Sequence, residues 1–222
     1  MNKYKMAVSC GRGMGIVKNI NKSWDDIVKK LSTHVELDNK EKAGFFVGGG
    51  FVGESRKDEF LECRSLLTLD VDKYSGDIED LAFDIDLLSL GAFVAYSTHS
   101  HANNAPRVRL VLPLSREVSG VEYRAISEAF CKGIACFDFD ECSFKPNQFM
   151  FYPSCAVGGD KWVMVGEGDT VDVDLFLVDG GVIDSTSVFD VVSDESDDDD
   201  FTRDLPLNMS DDEVKGLLFA YA

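Results

Sequence analysis

Two acidic residues separated by one apolar residue, Asp70 and Asp72, follow the leucine-rich run over residues 66–69. Because side chains alternate across a β-strand, both carboxylates would point to the same face of a sheet. Two carboxylates side by side repel each other, so the pKa of one is raised unless a divalent cation neutralises them. Mg²⁺ and Mn²⁺ prefer oxygen ligands of this kind. The pair predicts a metal site at a strand end, and the alternative is a solvated strand end that holds no metal.

A third acidic residue, Asp140, lies just before another predicted strand. Three carboxylates can hold two Mg²⁺ or Mn²⁺ ions, of which one activates an attacking hydroxyl while both stabilise in-line displacement at a phosphate. We therefore predict that Asp70, Asp72 and Asp140 are the catalytic residues and bind the metal ions.

Side chains that suit a phosphate group follow the other predicted strands. Ser97 and His99 are two residues apart at a strand end, so they can face the same side. An imidazole can donate a hydrogen bond to a phosphate oxygen from one ring nitrogen. Arg107, Arg109 and Lys145 are available to neutralise a triphosphate, although alternating arginines are also found on solvated sheet surfaces. We predict that these five residues bind a nucleotide.

The order of the predicted elements provides a framework for these residues. Apolar periodicity, capping residues and glycines predict strands over residues 65–71, 92–97, 108–112 and 148–152 and helices over residues 78–89 and 119–133. The order β-α-β-β-α-β predicts an α+β fold with a split βαβ (ferredoxin-like) palm. A strand over residues 6–9 and a helix after Ser23 are also expected, and they predict an additional N-terminal α/β lobe.

Composition and charge narrow the class of protein. The 222 residues are 45% hydrophobic and include 16 Phe, which is enough for one substantial core and excludes a mainly disordered chain. The net charge is −18, but residues 184–213 alone carry twelve acidic residues against one arginine, while the first thirty residues are locally basic. The net charge therefore does not exclude a polyanionic partner.

The domain boundary is expected where the acidic stretch begins. We predict one domain over residues 1–184, with a palm core at about residues 65–155, and an acidic linker followed by the start of a helical module over residues 185–222. Six cysteines without a C-x-x-C pair, and no apolar segment of membrane-spanning length, predict reduced thiols, a cytoplasmic location and no membrane function.

Three segments, in order, resemble the motifs of the archaeo-eukaryotic primase (AEP) superfamily: residues 69–72 resemble its hhhDhD motif, residues 97–99 its sxH motif and residues 139–140 its hD motif. The similarity extends to the N-terminal primase-polymerase domain of phage and prophage primase-helicase proteins and covers about residues 45–155. It is specific because three separated segments agree in order and spacing.

This resemblance implies an AEP primase fold and a template-dependent nucleotidyltransferase. Such an enzyme would synthesise or extend primers on single-stranded DNA during phage or mobile-element replication, in the cytoplasm of a bacterial host. The first and third motifs would bind two Mg²⁺ or Mn²⁺ ions, and Ser97 and His99 would bind the incoming nucleoside triphosphate. The implied partners are a single-stranded DNA template, nucleoside triphosphates and a replicative helicase, fused or separate.

Two other classes of function remain open from the sequence. A rolling-circle DNA-nicking initiator is one, because His99 and His101 superficially resemble a His-x-His metal pair. Ser100 between them counts against it, since that motif normally carries a bulky apolar residue there. A non-catalytic acidic protein that mimics DNA or recruits a replication factor is the other, and it leaves the three ordered motifs unexplained.

Overall fold

The structure is a computed structural model that describes residues 2–11, 13–134, 136–178 and 181–182. The β-strands are β1 Lys3–Ser9, β2 Val17–Ser23, β3 Val35–Glu36, β4 Phe45–Val47, β5 Gly49–Phe51, β6 Leu61–Lys73, β7 Phe93–Ser97, β8 Val108–Val118, β9 Asp138–Phe139, β10 Met150–Phe151, β11 Ser154–Cys155, β12 Val163–Gly166, β13 Leu177–Val178 and β14 Gly181–Val182. The α-helices are α1 Trp24–Leu31, α2 Ile78–Leu87 and α3 Gly120–Gly133, and 3-10 helices span Lys40–Ala43, Asp58–Phe60, Glu141–Phe144 and Val173–Phe176.

Two antiparallel sheets form the framework, as expected for the α+β class. The larger sheet has the strand order β12-β7-β8-β6-β5, with β9 also paired to β6. The smaller sheet has the order β10-β4-β1-β2. A short parallel pair, β3 with β11, and a short antiparallel pair, β13 with β14, complete the described strands.

Helices α2 and α3 cover one face of the larger sheet. Leu67, Leu69 and Val71 of β6 belong to the core that these helices close, together with Leu81 of α2 and Ile126 of α3. Both helices begin with a capping box, in which the side chain of Asp77 or Ser119 accepts from the helix backbone. The alternation of β6 therefore turns its even-numbered residues, including Asp70, to the opposite face.

The opposite face of the larger sheet packs against the smaller sheet and α1. Leu66 of β6 and Val111 of β8 share a second core with Met6 of β1 and with Ile27 and Leu31 of α1. The predicted N-terminal strand and helix are confirmed as β1 and α1, and the Ser23 hydroxyl caps α1 by accepting from the backbone N–H of Asp26 at 3.2 Å.

The predicted strands over residues 65–71, 92–97 and 108–112 and both predicted helices are confirmed, but β6 begins four residues earlier and β8 ends six residues later than predicted. The prediction that residues 148–152 form the last strand of the same sheet is wrong. Only Met150–Phe151 is a strand there, and it pairs with Phe45–Phe46 in the smaller sheet. The free edge of β6 is already occupied, because β5 pairs with its beginning and β9 with its end.

Glycines allow β5 to approach β6 closely. A Cβ atom on Gly49 would lie 2.1 Å from the carbonyl oxygen of Cys63, so no side chain fits there.

No helix in the described residues is both long and apolar enough to cross a bilayer. The predicted acidic linker and helical module over residues 185–222 lie outside the described residues.

Candidate active site

A row of polar side chains crosses the larger sheet near the end of β6. Asp70 on β6 is in register with Arg109 on β8, and Arg109 is in register with Tyr96 on β7. Residues directly opposite each other on neighbouring strands point to the same face, so these three side chains lie side by side. The row faces away from α2 and α3.

Arg109 and Asp70 form a buried ion pair. The Nε and Nη2 atoms of Arg109 donate to the same oxygen, Asp70 Oδ2, at 3.1 and 3.0 Å, and each side chain is only 14% exposed. The remaining Nη1 donates to the carbonyl oxygen of Phe151 at 3.1 Å, which also accepts from the Tyr96 hydroxyl at 3.0 Å. Arg109 is therefore engaged inside the protein in this structure, and its predicted contact with a nucleotide stays a prediction.

Among the residues that the structure describes, the second carboxylate oxygen of Asp70 has no hydrogen-bond partner. Asp70 Oδ1 is buried, and within the described residues no donor reaches it. Burial raises the pKa of Asp70, the charge of Arg109 opposes this, and the nearby carboxylates of Asp72 and Asp140 raise the pKa further. A buried oxygen in this state carries a desolvation penalty that a bound cation would offset.

Backbone contacts hold Asp140 beside Asp70. The N–H of Asp140 donates to the carbonyl oxygen of Asp70 at 2.9 Å, directly after β9 pairs with β6. In return the N–H of Asp70 donates to the Ser143 hydroxyl at 3.0 Å. Asp140 also caps the following 3-10 helix, since its Oδ1 accepts from the N–H of Cys142 at 2.9 Å. The predicted third acid is thus brought to the predicted first acid.

The donor set at this point suits a hard divalent cation, because it consists of carboxylate oxygens and includes the unpartnered Asp70 Oδ1. One oxygen of Asp70 is bound to Arg109, and one oxygen of Asp140 is bound to a backbone N–H. Among the residues that the structure describes, no three His, Cys, Asp or Glu side chains are arranged to hold a metal ion. The carboxylates are therefore neighbours that fit a cation by chemistry without forming a finished set of ligands.

Asp72 and Arg107 line the same open cleft, which has a volume of about 640 Å³. Arg107 is exposed, so a cation and a carboxylate face a space large enough for a ligand. The remaining lining comes from residues 73–75, 105–106 and 136–138. Lys145 is not part of this lining, and its Nζ lies 3.9 Å from the Cys142 sulfur on the exposed surface. The cleft unites two of the eight predicted site residues.

Ser97 is fully buried and serves as a junction inside the fold. Its hydroxyl accepts from the N–H of Trp162 at 2.9 Å and lies 2.9 Å from His34 Nε2. The same Nε2 lies 3.0 Å from the carbonyl oxygen of Ser97. Because a carbonyl oxygen only accepts, Nε2 carries the proton and shares it between both oxygens of Ser97. No hydroxyl surface is left for a nucleotide here, so the predicted ligand role of Ser97 stays a prediction.

The other two histidines have different surroundings. His99 is partly exposed, and its Nδ1 lies 3.4 Å from the Ser154 hydroxyl. His101 is 7% exposed, accepts from the N–H of Arg107 at Nδ1 and faces the side-chain oxygen of Asn103 at Nε2. Both nitrogens of His101 are therefore in use, and burial lowers its pKa. The His-x-His segment does not present two free imidazoles to one metal ion, as a nicking enzyme would require.

Comparison with models of protein families assigns the chain to one family. A family model described as the VapE N-terminal domain matches residues 2–180. The chain belongs to this family. The assignment agrees with the resemblance to phage and prophage primase-polymerase domains that the three motifs indicated. No curated protein matches the chain.

A solved structure that resembles this member of the VapE N-terminal domain family is the AEP domain of a primase-polymerase from cyanophage S-2L. The two chains are 10% identical, the similarity covers 85% of this chain and 88% of that chain, and the TM-score is 0.43.

Arg64 of this VapE N-terminal domain was not predicted as a site residue, but it contacts the segment that carries Asp140. Arg64 is completely buried, and its guanidinium donates to the carbonyl oxygens of Gly48, Pro146 and Leu66 and to the Thr68 hydroxyl at 2.8–3.2 Å. It lies 3.8 Å from the ring centroid of Tyr123. The Tyr123 hydroxyl donates to the carbonyl oxygen of Ser143 at 3.0 Å. Arg64 thus fixes the segment that carries Asp140.

Proposed function

We propose that this VapE N-terminal domain is a metal-dependent nucleotidyltransferase that synthesises or extends primers on single-stranded DNA. The observation that carries the proposal is the buried oxygen Asp70 Oδ1, which has no hydrogen-bond partner among the described residues. The carboxylates of Asp72 and Asp140 lie close enough to raise the pKa of Asp70. Carboxylates lie together at the end of a central strand, beside a cleft that is also lined by an exposed arginine. This arrangement favours phosphoryl transfer over the alternative interpretation, a solvated strand end that holds no metal.

The strand order supports a palm of the split βαβ type. β6 and β7 both pair antiparallel with β8, and β9 pairs antiparallel with β6. With α2 after β6 and α3 after β8, this is the connectivity of β-α-β-β-α-β, in which β9 takes the place expected for the strand at residues 148–152. The proposed acids then come from neighbouring strands at one end of the sheet.

In this proposal Asp70, Asp72 and Asp140 would hold Mg²⁺ or Mn²⁺. The cations would polarise a phosphate of the incoming nucleotide and lower the pKa of the attacking hydroxyl. Arg109 balances the charge of Asp70. Its guanidinium is itself held by the hydrogen bond to the carbonyl oxygen of Phe151, and so it fixes the orientation of the Asp70 carboxylate. Arg107 faces the cleft and would bind the triphosphate, because a guanidinium pairs with phosphate oxygens in a fork. His99 would add a donor, while His34 and Ser97 position the end of β7.

The proposal is tested by incorporation of labelled ribo- and deoxyribonucleotides on bare and primed single-stranded DNA, with Mg²⁺ or Mn²⁺ and with EDTA. We expect cation-dependent product from the wild type and a loss of at least about a hundredfold in Asp72→Asn, because a ligand that neutralises developing charge contributes several kcal/mol. The matched control is Asp86→Asn, which removes an exposed carboxylate from α2, the helix on the face of the larger sheet opposite to Asp70, outside the lining of the cleft. The proposal fails if Asp72→Asn incorporates nucleotide as well as Asp86→Asn does.

A further inference from the structure

Five exposed lysines lie on the smaller sheet and α1: Lys3, Lys18, Lys22, Lys29 and Lys30. We call three of them, Lys18, Lys22 and Lys30, the lysine surface, because Lys18 and Lys22 point to the same face of β2 and Lys30 lines a groove together with Lys22. Within the described residues none of the five pairs with a carboxylate, whereas Lys5, Lys42, Lys57, Lys73 and Lys161 each lie 2.7–3.9 Å from one. In a chain with a net charge of −18, this concentration of unneutralised positive charge is the opposite of what the composition leads one to expect.

The geometry of β2 directs part of this charge to one face. Lys18, Ile20 and Lys22 alternate along the strand, so their side chains point the same way. Their register partners on β1 are Val8, Met6 and Tyr4, which belong to the core under α1 or pack against it. β2 is the outermost strand of its sheet, so this face continues to an open edge.

Between β2 and α1 lies a groove with a volume of about 270 Å³. Its floor is apolar and includes Met6, Ile20 and Leu31, while Lys22 and Lys30 stand on its rim with one carboxylate, Asp26. The Nζ atom of Lys30 is held 4.8 Å from the ring centroid of Tyr152, which also lines the groove. Apolar and aromatic surface between cations matches the bases and phosphates of a single strand.

The groove is connected to the candidate active site through one peptide. Tyr152 directly follows Phe151, whose carbonyl oxygen accepts from both Arg109 and Tyr96. A strand of nucleic acid lying on the lysine surface would therefore run beside the segment that holds the Asp70–Arg109 pair. Tyr96 of the polar row belongs to the same core as Met6, Ile27 and Leu31 of the groove.

We propose that the lysine surface binds single-stranded DNA, with phosphates on the lysines and a base in the groove. This inference deepens the proposed function, because it assigns a surface to the template strand. Charge complementarity favours a polyanion, and the apolar floor beside Tyr152 favours one whose bases are unpaired over a duplex.

The test compares two triple variants of the full chain. Lys18→Gln/Lys22→Gln/Lys30→Gln removes charge from the lysine surface, and Lys42→Gln/Lys57→Gln/Lys132→Gln removes the same charge from exposed positions elsewhere. Binding of fluorescein-labelled oligo(dT) is followed by fluorescence anisotropy over a range of salt concentrations, and circular dichroism verifies folding. We expect the first variant to raise the Kd at least about tenfold and to flatten the slope of log Kd against log salt by about 2, at about 0.7 per phosphate contact.

The Kd of the control variant should lie within about twofold of the wild-type value. Its slope of log Kd against log salt should differ from that of the wild type by less than the roughly 0.7 that one phosphate contact contributes. Equal losses in both variants, or none in the first, would overturn the inference. Two further results would do the same: unchanged DNA binding with self-association of the first variant, which would assign the lysines to protection of an edge strand, and unchanged DNA binding with lost binding to phosphatidylglycerol vesicles.

The measurement separates this inference from the proposed function, since binding is read without nucleotides or turnover. Asp72→Asn should bind oligo(dT) like the wild type. If the lysine variant loses binding while the wild type incorporates no nucleotide, the surface stands and the nucleotidyltransferase proposal fails. If the wild type incorporates nucleotide and the lysine variant binds DNA normally, only the surface fails.

Discussion

Arg109 donates two hydrogen bonds to a single oxygen of Asp70, and the other oxygen of that carboxylate is buried with no partner in the part of the chain that the structure describes. The guanidinium therefore satisfies one of the two carboxylate oxygens of Asp70. An arginine that bound both oxygens in a fork would make the stronger, more self-contained pair. The observed arrangement keeps one oxygen available, next to Asp72 and Asp140, which is what a cation site on this strand would need.

Removing Arg109 should destabilise the protein strongly. In Arg109→Met the Asp70 carboxylate stays buried without its counter-charge, so the free energy of unfolding should fall by about 3–5 kcal/mol. Arg116→Met serves as the control, because Arg116 pairs with Glu122 and Asp174 on the surface and should contribute no more than about 1 kcal/mol. Urea unfolding at neutral pH measures both values. Similar losses in the two variants would mean that the buried pair has no special role.

A divalent cation should stabilise the wild type, and the effect should depend on pH. A cation binds the ionised form of Asp70, and burial together with the neighbouring acids raises the pKa of that carboxyl above its ordinary 3.8. The increase in Tm caused by Mn²⁺ should therefore be small in acid and grow as the pH rises through the raised pKa. Asp70→Asn should abolish this increase. A shift in Tm that is the same at acidic and neutral pH would contradict cation binding at Asp70.

His34 should matter more for stability than His99, although only His99 lies in a recognisable motif. His34→Ala removes the donor to both oxygens of Ser97 and should cost about 1–3 kcal/mol, whereas His99→Ala loses one contact of 3.4 Å and should change stability by less than about 0.5 kcal/mol. Chemical denaturation distinguishes them. His99→Ala should instead raise the KM for nucleotide more than it weakens template binding, and the reverse pattern would reassign His99.

The same histidine predicts a pH dependence of folding. Burial lowers the pKa of His34 below its ordinary 6.5, so the unfolded chain binds more protons than the folded one in that range. His34 should therefore make the wild type less stable as the pH falls below 6.5, and His34→Ala should lessen that loss. His101 shifts in the same direction, so part of the dependence should remain. Identical profiles for the wild type and His34→Ala would contradict this assignment.

Local patterns were enough to predict the elements around the site. The leucine-rich run in β6 and the helical spacing in α2 are properties of neighbouring residues, and both elements are found where they were expected. The strand at residues 148–152 was placed in the wrong sheet because pairing depends on distant residues. The Phe151 carbonyl oxygen is captured by Arg109 and Tyr96, and the edge of β6 is filled by β5 and β9.

The same distinction applies to the site. The nearness of Asp70 and Asp72 could be predicted from the alternation of one strand, but the contact of His34 with Ser97 spans 63 residues and no motif marks it. Arg64 did leave a signal, since a cation inside an apolar strand requires internal partners. Which carbonyl groups would serve as those partners depended on the packing of Gly48 and Pro146 around it.

Arg107 and Lys145 were both predicted to bind the nucleotide, and the structure now separates them. Arg107 lines the cleft with Asp72, while Lys145 lies outside that lining beside Cys142. Arg107→Gln should therefore raise the KM for nucleoside triphosphate about tenfold or more, as expected for loss of a charged contact of 1.5–3 kcal/mol, and Lys145→Gln should change it by less than about threefold. Both side chains are exposed, so neither variant should lose stability, and steady-state kinetics with thermal unfolding test this. An equal or larger effect of Lys145→Gln would move the triphosphate site from the cleft to the surface around Cys142.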